Sequence, residues 1–95
     1  MRDRELLELS AIVTGDVQGV GFRATTKIFA DNLGLAGMVR NLFDGSVEIC
    51  AQGERAQLEN LLAQLRQRYS SKTIRHIDFK FLPVREIYRD FRIVR

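Results

Sequence analysis

Between residues 14 and 22 the apolar side chains stop recurring at every second position and begin recurring at every third or fourth. The changeover is carried by a stretch holding three glycines, Gly15-Asp16-Val17-Gln18-Gly19-Val20-Gly21. Upstream, Leu7, Leu9, Ala11 and Val13 alternate with Glu8, Ser10, Ile12 and Thr14, the pattern of a strand with one buried face. Downstream, Phe22, Thr25/Thr26, Phe29 and Leu33 fit one face of a helix, and Gly34 suits the position just past its end. A strand therefore feeds a helix through a short glycine loop, so the helix must fold back onto whatever sheet the strand joins.

The rest of the chain supplies that sheet. Residues 36–42 and 46–52 read as strands joined at Asp44-Gly45, a hairpin signal. Gly53 and Glu54 open a second helix in which Leu58, Leu61, Leu62, Leu65 and Tyr69 share a face, with Arg66 and Arg68 opposing its C-terminal dipole. Ile77, Phe79 and Phe81 alternate in a fourth strand that Pro83 breaks, and Ile87, Phe91 and Ile93 predict a fifth at an edge. The order βαββαβ plus one strand is that of the ferredoxin-like split βαβ sandwich, an α+β fold with two helices on one face of one sheet. In it strands one and two are parallel and flank strand three. Their C-terminal ends then share one rim, roughly 10 Å apart across two inter-strand spacings. The glycine loop stands at one end, Arg40 and Asn41 at the other.

Composition excludes more than it names. With 95 residues, 45% of them apolar, a single domain over residues 1–95 is expected. One cysteine, Cys50, forms no intrachain disulfide, and one histidine, His76, falls short of a structural zinc site, so neither a resident metal nor another cofactor is expected. The charged start, Met1-Arg2-Asp3-Arg4-Glu5, followed by no long apolar run, leads us to expect a soluble cytoplasmic protein without a leader or membrane contact. The net charge of +3 permits nucleic acid without demanding it. It is unevenly spread: residues 1–48 hold five Lys/Arg against seven Asp/Glu, residues 49–95 ten against five. The basic C-terminal strand reads first as a solvated edge guarded against sheet-to-sheet pairing, and second as a field that draws anions.

The loop is the chemically informative stretch. Its glycines let successive N–H groups of residues 17–22, Val17, Gln18, Gly19, Val20, Gly21 and Phe22, face one concavity, to which the helix start adds unpaired donors and a positive dipole end. Arg23, in a first turn that favours acids, offers a planar fork for two phosphate oxygens. The same residues also make an ordinary tight turn with Arg23 in solvent. A Walker loop is excluded because Gly21-Phe22-Arg23 lacks the Gly-Lys-Ser/Thr ending. Gly19-Val20-Gly21-Phe22-Arg23-Ala24 satisfies the loose dinucleotide pattern, but the antiparallel hairpin at Asp44-Gly45 and the short chain argue against that fold.

Gly15 to Arg23, followed by Gly37-Met38-Val39-Arg40-Asn41 and Asp44-Gly45-Ser46-Val47-Glu48, resembles the two signature stretches of the acylphosphatases. The resemblance covers essentially the whole chain and is weakest after Tyr69. It implies hydrolysis of the carboxyl–phosphate bond of small acyl phosphates to a carboxylate and inorganic phosphate. By position, Arg23 and the loop N–H groups would bind the phosphoryl group, and Asn41 would orient the attacking water. Taken alone, Asn41 is a turn residue before a hairpin. A monomer is expected, with no metal and no nucleic acid.

Two positions depart from the family's habit. Asp16 stands where a basic residue is common and would oppose an anionic substrate unless it points outward. Met38 replaces an aromatic and is expected to fill a core site. Arg40, Lys27, Cys50 and His76 are expected at the surface or as passive strand residues. One competing class is an RNA-binding module of the same element order, disfavoured because strand three, Gly45 to Ala51, carries no aromatic for base stacking. Another is an acylphosphatase-like regulatory or carbamoyl-phosphate-handling domain of the kind fused to a hydrogenase-maturation protein.

Overall fold

The computed structural model describes residues 5–95, so the charged residues 1–4 that enter the expectation about a leader lie outside the described residues. The alternating stretch forms β1 (Leu6–Thr14), in which Leu9, Ala11 and Val13 are fully buried while their neighbours face outward. After the glycine loop come α1 (Phe22–Asn32), β2 (Ala36–Asn41), β3 (Val47–Glu54), α2 (Arg55–Arg68), β4 (His76–Pro83) and β5 (Phe91–Val94). The strand order is β4-β1-β3-β2-β5, with β3 antiparallel to both β1 and β2 and β5 parallel to β2. This is the ferredoxin-like α+β arrangement, with β5 added at the β2 edge.

Period decides what each element buries. Val47, Ile49 and Ala51 of β3 and Val39 of β2 turn to the helices, as does the β1 stripe. Leu58, Leu61, Leu62 and Leu65 form the buried stripe of α2, and each such side chain contributes about 1.5–3 kcal/mol by leaving water. The α2 start departs from expectation by two residues. Gly53 and Glu54 still belong to β3, pairing with Leu7 and Leu6, and Glu54 is the cap of the helix. The Glu54 N–H donates to Gln57 Oε1 at 3.2 Å, one arm of a capping box. The other end of the Gln57 amide donates to the Leu33 carbonyl just past α1, so one side chain joins the end of the first helix to the start of the second.

The fifth strand is shorter than its apolar spacing predicts. Ile87 is 69% exposed and lies in an irregular segment before Phe91, which alone of that set is buried. Met38 also differs from expectation. It sits half-buried on the sheet face away from the helices, because it alternates with Val39 and Gly37 in β2.

Candidate functional site

The path of the loop is fixed by what each residue meets. At Gly15 the chain runs against the backbone of residues 73–75: a Cβ there would lie 2.0 Å from the Thr73 carbonyl oxygen, and Arg75 N–H donates to the Thr14 carbonyl at 2.8 Å. Val17 is buried and anchors the loop in the core. The Gln18 side chain turns away from the concavity, and its Nε2 donates to the Leu42 and Ser46 carbonyls at 2.8 and 2.9 Å. The Gln18 side chain therefore does not line the concavity. Its amide locks the loop to the hairpin that carries Asn41, a role its place in the motif did not suggest.

Gly21 precedes α1 with φ 77°, a left-handed conformation that most side chains resist. Among the described residues no side chain caps this helix start, and no acid occupies its first turn, so its first N–H groups and the positive dipole end remain available.

The loop and this helix start border a cavity of about 180 Å³. Gly19, Gly21, Phe22 and Arg23 form one side, and Asn41 and Ile93 close the other. Arg23 is half-buried and, among the described residues, has no ion-pair partner. Asn41 arrives there through strand register, since Val47 of β3 pairs with Val13 on one side and Asn41 on the other. The ends of β1 and β2 thus stand level across two inter-strand spacings, as the topology requires. The Oδ1 of Asn41 is buried and, among the described residues, has no hydrogen-bond partner. An orphaned buried acceptor costs about 1–3 kcal/mol, which a hydrogen-bond donor entering the cavity would relieve.

The other singled-out residues lie elsewhere. Asp16 is exposed and does not line the cavity. Arg40 pairs with Glu48 at 2.6 Å across the β2–β3 pair, and His76 is exposed. Lys27 is more than a surface residue, because its ammonium donates to the Phe91 carbonyl at 2.8 Å as well as to Asp31 at 3.0 Å. Burial, then the neighbouring Glu8, pushes the Cys50 thiol up to about 12, which keeps it protonated and a poor nucleophile. At the hairpin tip, hydrogen bonds from the Ser46 hydroxyl and N–H hold the Asp44 carboxyl below its ordinary value. Ile93 is the wall residue that sequence patterning missed. It looked like a strand position, and only the parallel pairing of β5 with β2 brings it beside Asn41.

Comparison with known proteins gives the family and the fold. A family model described as acylphosphatase matches residues 9–93. An acylphosphatase of Lactobacillus johnsonii is 43% identical over 83 residues, covering 86% of this chain and 91% of that one. One from Paenarthrobacter aurescens is 41% identical over 90 residues, covering 95% and 96%. The crystal structure of acylphosphatase from Bacillus subtilis superposes with a TM-score of 0.87 at 35% identity, over 94% of this chain and 99% of that one.

Proposed function

We infer the working of this site from the premise that the chain belongs to the acylphosphatase family, enzymes acting on small acyl phosphates. In our reading, the backbone N–H groups of Val17, Gln18, Gly19, Val20, Gly21 and Phe22 cradle the phosphoryl oxygens, and the Arg23 guanidinium neutralises them. Asn41 accepts a hydrogen bond from water through Oδ1 and aims its oxygen at phosphorus. The water oxygen bonds to phosphorus as the phosphorus–acyl oxygen bond breaks. The carboxylate leaves with the electron pair, and both of the water's protons are carried off on inorganic phosphate, as dihydrogen phosphate.

The chemistry suits so sparse a site. Phosphoryl transfer passes through a loose transition state whose charge is spread over three equatorial oxygens, so positioning and fixed donors do most of the work. A carboxylate is a good leaving group, which lets a neutral amide serve where a poorer one would demand a strong base. The observation that carries this reading is that Asn41 Oδ1 and Arg23 line one cavity and neither has a hydrogen-bond or ion-pair partner among the described residues.

We further propose that residues 1–95 act as one domain and as a monomer, in the cytoplasm, with no metal or other cofactor and without nucleic acid or membrane. Among the described residues no helix is long and apolar enough to cross a membrane, and β3 carries no aromatic residue for stacking bases.

Hydrolysis of benzoyl phosphate in the presence of a chelator tests the scheme. Arg23→Ala should lose both turnover and inorganic phosphate binding. Asn41→Ala should lose roughly 10²–10³ in kcat with phosphate binding largely kept. Equal loss of phosphate binding in both variants, or activity abolished by the chelator, overturns the assignment of roles.

A further inference from the structure

A second cavity, of about 560 Å³, opens on the sheet face that the helices leave bare. Its floor is the outer side of β2 and β5, where Met38 pairs with Arg92 and Arg40 with Val94. Its overhanging wall is the irregular 84–90 segment, from which Ile87, Tyr88 and Arg89 face the space. That segment is tied down at both ends. The Gln52 side chain, only 3% exposed, donates to the Glu86 carbonyl and accepts from Tyr88 N–H at 3.0 Å. It also donates to Glu8 at 2.9 Å, and Gly37 N–H donates to the Asp90 carbonyl at 2.9 Å. A buried amide is tolerable only when its bonds are made, and two of those of Gln52 fix this wall.

Charge then selects the ligand. Arg40 is paired with Glu48 and Arg92 with Asp90, while Arg89 has no ion-pair partner among the described residues. One uncompensated guanidinium therefore stands beside Met38, Ile87 and Tyr88. Its size falls within the range of small-molecule sites, and its lining sets apolar Met38, Ile87 and Tyr88 beside three guanidiniums and one carboxylate. We propose that this groove binds a monoanionic carboxylate with an aromatic or branched apolar body. Arg89 forks the carboxylate, and Met38, Ile87 and Tyr88 hold the body. A phosphate dianion would find only one of its charges answered. The site is separate from the anion cavity because β2 and β5 alternate: Asn41 and Ile93 turn one way, Arg40, Arg92 and Val94 the other.

The probe is 2-naphthoate, titrated into the full chain by calorimetry and followed by backbone amide shifts, with inorganic phosphate held at saturation. We expect saturable one-to-one binding that phosphate does not displace, with shifts at Met38 and residues 87–89. Arg89→Glu should weaken it roughly tenfold or more and leave benzoyl phosphate hydrolysis unchanged, which also shows that the variant is folded. Displacement by phosphate, shifts confined to residues 17–23, equal affinity in Arg89→Glu, or no saturable binding each overturns the proposal.

Discussion

Replacing Gln18 by alanine removes the two hydrogen bonds that fasten the glycine loop to the β2–β3 hairpin. Its cost follows from what the two carbonyls do afterwards. Leu42 O still accepts from Gly45 N–H at 3.2 Å, and Ser46 O from Leu42 N–H at 2.8 Å. Neither acceptor is orphaned, so the loss is that of two ordinary bonds, about 1–3 kcal/mol in total, without an added desolvation penalty. Urea unfolding should report this as a lower midpoint at unchanged slope. Activity should fall further than stability alone explains. The lock sets the distance between the loop with Arg23 and the strand end with Asn41, and an ångström of misplacement can cost about 10²-fold. We expect kcat for benzoyl phosphate to drop by roughly tenfold or more, under conditions where the variant is fully folded. Gln18→Glu should be less stable than Gln18→Ala at pH 7, because it sets a carboxylate against two carbonyl oxygens where an amide N–H₂ stood. A Gln18→Ala enzyme with wild-type kcat, or a glutamate variant as stable as the alanine one, refutes the reasoning.

Three further outcomes follow from the loop and from two shifted groups. Gly15→Ala meets the Thr73 carbonyl and should cost about 2–5 kcal/mol, whereas Gly21→Ala, with open space around its Cβ, should cost only the left-handed backbone penalty of about 1–2 kcal/mol; thermal unfolding of the pair gives the ranking. Because the Cys50 thiol is raised, the stability it contributes is fully present below its ordinary 9.0 and is lost as pH climbs toward about 12. Iodoacetamide at pH 8 should therefore label the folded chain far more slowly than the urea-unfolded one. Asp44 runs the opposite way. Its lowered value contributes stability above the ordinary 3.8 that is lost as pH falls through the folded value, and Ser46→Ala should move its carboxyl titration upward by NMR.

Much of this molecule was legible in the sequence where local periodicity and burial coincide. The β1 stripe, the Asp44-Gly45 hairpin and the α2 leucines each bury the face that their spacing predicts. Strand order follows from chirality and connection, and it alone brings Asn41 to the rim shared with the loop. What escaped was carried by contacts between distant positions. Gln52 holds residues 34 and 36 positions away, Lys27 reaches Phe91 across 64, and no local pattern marks either residue. The expectation that Met38 fills a core site rests on the aromatic common at that position in the family, but strand parity sends it to the opposite face. Glu54 closes a strand and caps a helix at once, which a reading that assigns each residue to one element cannot express.

Lys27 stands one turn along the helix from Arg23 and is bonded to the carbonyl of Phe91, two residues before Ile93. The terminal edge strand, four residues long, is thus moored to the helix whose first turn borders the cavity. Local unfolding of that strand removes a wall of the cavity, so an occupant that needs the wall must hold the strand in place. Ligand affinity and amide protection in β5 are in that sense two readings of one equilibrium, and the chain's last strand belongs thermodynamically to its first loop.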